Sequence, residues 1–395
     1  MDYMNQGLAF KIKKALRYVA LHGIGRTRIK ILSQMHLRKR FPAYPERAVP
    51  RTSRHTVALV GCGNYSFSTL AYYLVKNYGH VIAACMDRDL DKAYSLAGHY
   101  KVPKCTADFQ DILDDKGITL VYIASNHASH AEYGIQALER GKHVYLEKPH
   151  VVSESQLERL VAAMERFPGR VFIGFNRPGN RFGRMILEHL KRESGPGMYS
   201  WHVIGHPIAP DHWYMKSEEG GRILGNLCHW TDFSLLMVPE NAFPIRINPT
   251  RARHPDFDIA VSYTFGDGTI ASICFSAKGH TFEGVRERFS AHKGNAIIYM
   301  DDYERMTVEV GESKRTYRNR FRDYGHQAMI KRAYEAVRDG EPFDRKALIA
   351  YIWNTGWLFL KTKEAFEKNE SIVIHSFEEM RRGREETALV LTGRP

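Results

Sequence analysis

The chain has 395 residues, of which 44% are hydrophobic and 26% are charged, so it is long enough for two domains with their own cores. No apolar run approaches the roughly 18 residues of a membrane span. The five cysteines form no C-x-x-C pair and are odd in number, so neither a disulfide framework nor a zinc or other metal site is expected, and a reducing cytoplasm is the predicted compartment.

The net charge of +13 is concentrated at the N-terminus. Residues 1–54 hold thirteen Lys and Arg against two acidic residues, whereas the other 341 residues carry a net charge of only +2. A nucleic-acid-binding regulator is not favoured, because the charge belongs to one arm and no reader element accompanies it. A helical wheel places basic residues opposite an apolar side formed by Leu8, Ile12, Ala15, Leu16 and Val19.

Residues 1–54 are therefore predicted to form a basic amphipathic extension. Such a helix can lie on an anionic membrane surface or pack on a partner protein, which is compatible with a peripheral position at the inner face of the membrane. The alternative interpretation is that its apolar stripe docks on the body of the same protein.

The body opens with an apolar run, residues 56–60, of the kind found in buried parallel strands. A glycine-rich turn follows it, and residues 67–78 are helix-like. Glycines let backbone N–H groups approach a pyrophosphate, and the helix start favours its negative charge. Ser66 stands where the G-x-G-x-x-G pattern has its third glycine, and serine is small enough for close helix packing. The predicted pyrophosphate-binding residues are Gly61, Gly63, Asn64, Tyr65 and Ser66.

A second apolar strand, residues 81–86, ends in Asp87. At this position a carboxylate accepts hydrogen bonds from the adenosine ribose hydroxyls and repels a 2′-phosphate. Asp87 therefore favours NAD over NADP, and the adjacent Arg88 keeps NADP possible.

Helices and strands continue to alternate as far as residue 175. Strand 120–124 delivers Ser125, Asn126 and His127 to the carboxyl edge of the sheet, and strand 143–146 delivers Glu147 and Lys148 to the same edge. A helix from Ser153 to Phe167 and a strand over 170–175 complete the pattern. This spacing predicts a doubly wound Rossmann domain over residues 55–175.

Pro149 ends the strand that carries Lys148. Proline fixes φ and lacks an amide hydrogen, and an X-Pro bond adopts the cis form at low cost. The chain can therefore double back here and direct Lys148 into a crevice between two domains.

These residues resemble the Gfo/Idh/MocA oxidoreductases, a family that includes inositol dehydrogenases and glucose-fructose oxidoreductases. The resemblance rests on Gly61-Cys62-Gly63, Asp87, Ala124-Ser125-Asn126 with His130, and above all on the string G-K-H-V-Y-L-E-K-P over 141–149. It continues through Gly174-Phe175-Asn176-Arg177, Asp211-His212-Trp213, Gly220-Gly221-Arg222-Ile223 and Cys228-His229. It implies cofactor contacts by Ser125, Asn126, His130, Glu147 and Lys148.

The family resemblance also implies a second, α+β domain with a large open, mostly antiparallel sheet that carries the substrate site and an oligomer interface, either dimeric or tetrameric. We place it at residues 176–375, followed by a tail over 376–395. Short strands near 259–265, 269–276, 288–292, 296–300 and 306–310 agree with this, as do helices near 181–191, 228–236, 326–338 and 345–366.

The resemblance makes Lys148 the principal acid/base and His229 its assistant, since hydride transfer from a carbinol needs a base for the hydroxyl proton. The family has an aspartate four residues before this histidine, but Gly225 stands there, and its neighbour Asn226 cannot act as a base. The predicted substrate-binding residues are Asn176, Arg177, Trp213, Arg222, Asn226 and His229. Both arginines have an alternative interpretation as structural ion-pair partners. His212, Trp213 and Tyr214 form an aromatic cluster that could stack on a sugar ring, and its alternative role is as a core or lid element.

The expected function is an NAD(P)-dependent oxidoreductase acting on a sugar, cyclitol or sugar nucleotide in surface-glycan biosynthesis. The alternative is a catalytically silent cofactor-binding scaffold that docks at a membrane or partner enzyme through its basic arm. Gly225 supports that alternative, and the intact Lys148 and His229 oppose it.

Overall fold

The computed structural model describes residues 6–44, 49–209, 211–251, 258–279 and 282–377. The predicted tail over 376–395 lies almost wholly outside them, as do parts of the N-terminal arm. None of the helices among the described residues is long and apolar enough to cross a membrane.

The N-terminal arm forms a hairpin of two helices, α1 (Leu8–His22) and α2 (Ile24–His36). Gly23 joins them with a φ of 82°, a backbone conformation that glycine adopts without strain. The hairpin packs on the body through both helices. Arg17 on α1 forms an ion pair with Glu283, and His36 on α2 stacks on Phe67 with 4.3 Å between ring centroids.

A parallel six-stranded sheet forms the first domain of the body. Its strands are β1 (Val57–Val60), β2 (Ile82–Met86), β3 (Lys104–Thr106), β4 (Leu120–Ile123), β5 (His143–Leu146) and β6 (Val171–Ile173). They lie in the order β3-β2-β1-β4-β5-β6, which is the doubly wound order with a switch point between β1 and β4. The ends of β1, β2, β4 and β5 therefore meet at one edge, as predicted.

Helices cover both faces of this sheet. They are α3 (Ala71–Tyr78), which follows a π-helical segment at Ser66–Leu70, α4 (Leu90–Tyr100), α5 (Gln110–Leu113), α6 (His130–Glu139) and α7 (Glu154–Arg166). Strands β1, β2 and β4 are buried at every position, as expected for strands covered on both faces.

The second domain contains a nine-stranded mixed sheet. Its strands are β7 (Gly197–Ile204), β8 (Ile245–Arg251), β9 (Asp258–Thr264), β10 (Ile270–Ser276), β11 (Arg286–Lys293), β12 (Ala296–Asp301), β13 (Arg305–Val310), β14 (Ser313–Arg318) and β15 (Ile372–Ile374). Neighbours pair antiparallel except β7 and β10, which run parallel. The predicted α/β fold with a mostly antiparallel second sheet is confirmed.

Four further α-helices follow β6 in the described part of the chain: α8 (Arg181–Arg192), α9 (Cys228–Leu235), α10 (His326–Arg338) and α11 (Arg345–Lys368). Alternation along β7 shows how the sheet is used, because Tyr199, Trp201 and Val203 are buried on one face. Met198 and Ile204 point to the other face, where they are 61% and 37% exposed.

Asp232 is a buried carboxylate at the contact between α9 and α11. Its Oδ1 accepts hydrogen bonds from the Tyr351 hydroxyl at 2.7 Å and the Thr355 hydroxyl at 3.1 Å, while Oδ2 has no hydrogen-bond partner among the described residues. Burial raises the pKa of Asp232 to about 7, against the opposing effect of these two hydrogen bonds.

We expect this carboxyl to lower the stability of the protein as pH rises. Between the unfolded pKa of about 3.9 and the folded value of about 7, the folded state binds more protons, so the free energy of unfolding falls with increasing pH. Asp232→Asn should remove that contribution, at most roughly 4 kcal/mol. Urea unfolding of both proteins from pH 4 to 8 measures the difference, with the exposed Asp114→Asn as control. Parallel curves for wild type and Asp232→Asn would contradict it.

Candidate active site

The glycine turn after β1 approaches the end of β4 so closely that a side chain cannot fit. Gly61 has a φ of 84°, and a Cβ there would lie 2.5 Å from the carbonyl oxygen of Ala124. Ser66 is buried, and its hydroxyl donates a hydrogen bond to the Gly61 carbonyl. Ser66 therefore fits where the third glycine of the motif would be, and it also ties the turn together.

Asp87 lies beside this turn at the end of β2. Its Oδ2 accepts a hydrogen bond from the Cys62 amide at 2.7 Å, and its Oδ1 accepts one from the Asp89 amide at 2.9 Å. These contacts fix the carboxylate next to the turn, in the position from which it could accept ribose hydroxyls. Arg88 is exposed.

The loop after β4 is held by contacts from distant segments. Asn126 donates a hydrogen bond to Glu219 at 2.7 Å, and Ser125 shares one with Ser129 at 2.7 Å. His130 is buried, with Nδ1 2.8 Å from the Pro149 carbonyl oxygen and Nε2 3.1 Å from that of Ser125. The side chain of His130 therefore joins the loops after β4 and β5.

Lys148 connects the two domains. It follows β5 and precedes a cis peptide bond to Pro149, and its Nζ donates a hydrogen bond to the Gly225 carbonyl at 2.6 Å. Burial lowers the pKa of Lys148, although the neighbouring Glu147 opposes that shift. A larger fraction of Lys148 is therefore a neutral amine than for an ordinary lysine, as a general base requires.

Glu147 is buried on the other side of the same strand end. Its Oε1 accepts a hydrogen bond from the Tyr145 hydroxyl at 3.0 Å, and its Oε2 accepts one from the Lys148 amide at 3.3 Å. Burial raises the pKa of Glu147, while the nearby Lys148 charge and the Tyr65 hydroxyl lower it. Because Tyr65 belongs to the glycine turn, this carboxyl links the turn to the lysine strand.

Gly225 leaves no room for the side chain that the family has at this position. A Cβ there would collide with the Tyr214 hydroxyl and would lie 2.7 Å from the His127 ring. The Tyr214 hydroxyl is buried without a hydrogen-bond partner among the described residues, and His127 donates to the Glu219 carbonyl at 2.8 Å. An aromatic ring and a histidine therefore fill the space of the expected carboxylate.

His229 lies one helical turn after Gly225, at the start of α9, and is buried. Its Nδ1 has no hydrogen-bond partner among the described residues. Burial lowers the pKa of His229 well below its usual value, and the charges of Arg177 and Lys148 lower it further. The imidazole is therefore neutral and can accept a proton or a hydrogen bond.

Several of the predicted substrate-binding side chains already have partners within the protein. Arg177 is buried and pairs with Glu287 at 2.6 Å, while the Asn176 amide nitrogen donates to the Tyr324 carbonyl at 2.6 Å. Arg222 donates to Asn226 at 3.2 Å. Arg177 therefore has the geometry of a structural ion-pair partner, which was the alternative to its predicted role in substrate binding.

Trp213 is 39% exposed, and its ring meets His127 edge-on at 5.0 Å. It therefore has free surface beside the Lys148 site. The position of the tryptophan is compatible with a stacking contact to a ring-shaped ligand.

Glu219, which no sequence pattern singles out for binding, and Tyr214, which the sequence places in an aromatic cluster, both help to build this site. Glu219 contacts Asn126, the Ala128 amide and His127, and so attaches the second domain to the loop after β4. Tyr214 fills the space beside Gly225. Within the sequence, Glu219 is visible only as a carboxylate before two glycines, and Tyr214 only as part of an aromatic cluster. Neither pattern reveals that Glu219 contacts Asn126 and His127, which lie 93 and 92 positions away.

Residues 55–175 match the model of an oxidoreductase family with an NAD-binding Rossmann fold, GFO_IDH_MocA. Oxidoreductase P35 of Formosa agariphila is 33% identical over 127 residues, which cover 32% of this chain and 39% of that protein. Myo-inositol 2-dehydrogenase of Thermotoga maritima is 21% identical over 277 residues, covering 66% and 82% of the two chains. The alignments with Oxidoreductase P35 and with the trans-1,2-dihydrobenzene-1,2-diol dehydrogenases of two Xenopus species span only 27% to 39% of the length of those proteins.

A solved structure, levoglucosan dehydrogenase in complex with NADH, superposes with a TM-score of 0.67 at 16% identity. The match covers 81% of this chain and 99% of the other. At that identity the likeness shows the two-domain fold. Together with the family model it confirms the resemblance predicted from the motifs, and residues 55–175 are an NAD-binding Rossmann domain.

A side chain at position 225 should destabilise the protein. Gly225→Ala places a methyl group against Tyr214 and His127, so we expect a loss of about 1–3 kcal/mol in the free energy of unfolding despite the better helix propensity of alanine. Gly63→Ala is the matched control, because no atom lies within 4 Å of a Cβ there. In a double-mutant cycle by urea unfolding, Tyr214→Ala should relieve part of the loss. If the losses in free energy of unfolding from Gly225→Ala and Tyr214→Ala simply add, the side chains at positions 225 and 214 do not clash.

Proposed function

We propose that this chain, whose residues 55–175 form a Rossmann domain of the Gfo/Idh/MocA oxidoreductases, is an NAD-dependent dehydrogenase acting on a sugar, cyclitol or sugar nucleotide. The observation that carries the proposal is Lys148, a lysine with a lowered pKa that lies at the carboxyl edge of the dinucleotide-binding sheet and contacts the second domain. Proton removal and dinucleotide binding are thereby available in one crevice.

The residues fit the cofactor on two observations. The turn is open at Gly63, where no atom lies within 4 Å of a Cβ, and Asp87 is held beside the turn with its carboxylate at hand. Bound NAD would accept a hydride from the substrate carbon. The Asp87 carboxylate favours NAD, and the exposed Arg88 keeps NADP use possible.

Lys148 would act as the base that takes the substrate hydroxyl proton, in the neutral form that burial favours. His229 would accept a hydrogen bond from the substrate through its neutral ring and assist the proton transfer. Because Gly225 replaces the family aspartate, no carboxylate side chain is available from that position, and the proton would move between Lys148, His229 and the substrate alone.

The names of the relatives support a cyclic polyol as the substrate class, since they include a myo-inositol 2-dehydrogenase and a levoglucosan dehydrogenase. The exposed Trp213 offers a flat surface for such a ring. A role in surface-glycan biosynthesis is our extension by analogy with family members of such pathways.

A homo-oligomer is also part of the proposal. The outer face of the second sheet exposes Met198, Ile204, Ile270 and Tyr299, which are 37% to 61% accessible. Exposed apolar side chains gathered on one sheet face are usual for an interface between protein copies.

One observation favours the second candidate, a scaffold that docks through its N-terminal arm. Leu8, Leu16 and Ile24 are 73%, 65% and 76% exposed on the α1–α2 hairpin, so much of the predicted apolar stripe faces outward. Basic side chains flank it, which suits an anionic membrane surface.

Two variants test the dehydrogenase proposal. Asp87→Asn should weaken NADH binding about tenfold or more, because a hydrogen bond to a charged group is lost, whereas the exposed Asp114→Asn should leave it unchanged.

Lys148→Met should bind NADH and lose turnover by at least about a hundredfold, with Lys116→Met as control. NADH fluorescence titration and a panel of myo-inositol, levoglucosan and nucleotide sugars measure both.

Activity should also rise with pH through the lowered pKa of Lys148, because the deprotonated amine is the base. Undiminished turnover by Lys148→Met would rule out its proposed role. Tight NADH binding by Asp87→Asn would place the cofactor elsewhere.

Membrane docking is tested with the exposed apolar residues. Leu16→Glu combined with Ile24→Glu should abolish co-sedimentation with phosphatidylserine-containing vesicles at little cost in stability, since both side chains are already exposed. Leu236→Glu, at an apolar position that is 39% exposed and lies outside the hairpin, is the control. Equal sedimentation of the double variant and wild type, or no binding by wild type, would argue against docking.

A further inference from the structure

The α1–α2 hairpin contacts the glycine turn directly, although it lies outside the matched family region. His36 on α2 donates a hydrogen bond to the Cys62 carbonyl at 2.7 Å, and Lys30 donates one to the Asn64 side-chain oxygen at 3.3 Å. Arg26 donates to the Ser68 carbonyl in the segment that follows the turn. The hairpin therefore forms a wall beside the residues predicted to hold a pyrophosphate.

A cavity of about 1850 Å3 lies between this wall and the body. It is larger than the roughly 300–1,000 Å3 of an ordinary small-molecule site. Asn64 and Tyr65 of the turn line it, and so do Arg177 and His326. Neither Lys148 nor His229 is among the described residues that line it. A ligand longer than a free monosaccharide fits these dimensions.

The hairpin presents positive charge to this cavity. Lys14, Arg26 and Lys30 all line it and are only partly exposed. Burial and repulsion by Arg26 lower the pKa of Lys30 to about 8, and burial and repulsion by Lys30 lower that of Lys14 to about 8. Arg26 and Lys30 thus repel each other, and an anion between them would reduce that repulsion.

Two acidic residues of the cavity have other partners. Glu283 pairs with Arg17 and Arg322, and Glu335 accepts a hydrogen bond from Tyr78. Within the described ranges, neither Arg26 nor Lys30 has a carboxylate at ion-pair distance. The positive charge near the turn is therefore available to a ligand.

We propose that the hairpin and the glycine turn together bind a phosphate-bearing ligand, with Lys30 and Arg26 contacting its phosphate oxygens. A diphosphate fits best, because two cations and the backbone of a glycine turn can each contact its oxygens. The phosphate site rests on the proposed function in one respect, namely that the diphosphate belongs either to the dinucleotide cofactor or to a nucleotide-sugar substrate.

The test compares Lys30→Gln with Lys13→Gln, since Lys13 is an exposed lysine on α1 that does not line the cavity. Calorimetry measures the affinity of the full chain for inorganic pyrophosphate, NADH and UDP-glucose. Lys30→Gln should weaken pyrophosphate binding about tenfold, Lys13→Gln should not, and Lys30→Arg should keep most of the affinity because it retains the charge.

The measurements with NADH and UDP-glucose show whether the bound diphosphate belongs to the cofactor or to the substrate. A parallel loss for NADH assigns the diphosphate to the cofactor, and a loss confined to UDP-glucose assigns it to the substrate. If wild type fails to bind NADH but binds UDP-glucose in a Lys30-dependent manner, the dehydrogenase proposal fails and the phosphate site stands. Unchanged affinity of folded Lys30→Gln for all three ligands, or no binding of any of them by wild type, would overturn the phosphate site.

Discussion

The hydrogen bond from Lys148 to the Gly225 carbonyl is the contact on which the site depends. It joins the end of a Rossmann strand to a π-helical segment of the second domain, and so brings a lysine from one half of the chain beside His229 from the other. The partly buried position of the lysine follows from this contact. Burial lowers its pKa, and a surface lysine with the same neighbours in sequence would remain an ordinary cation.

The glycine at 225 changes the shape of that crevice as well as its charge. Tyr214 and His127 fill the space that an aspartate would need, so the substitution is accommodated by close packing. Glu147 is left as a carboxyl close to Lys148, and it is buried and occupied by Tyr145. In the proposed mechanism, the proton chemistry therefore relies on a lysine and a neutral histidine.

The N-terminal arm shows why an amphipathic pattern does not fix orientation. The helical wheel correctly separates apolar from basic positions, and Leu8, Ile12 and Leu16 do share one side of α1. The structure turns that side largely outward and directs Lys14 and Lys30 toward the cavity beside the glycine turn. Periodicity defines two faces, and only the neighbouring charges and shapes decide which of them is covered.

The sequence by itself determined the Rossmann domain, its glycine turn, Asp87 and the strand that ends at Lys148, because each depends on short-range periodicity and backbone stereochemistry. The short edge strand β3 and the pairing of β7 with β10 carry no such local pattern. Only the tertiary structure decided that His130 joins two loops, that Arg177 pairs with Glu287 and that Tyr214 faces Gly225. These contacts join side chains from different segments of the chain, and packing of the whole chain sets them.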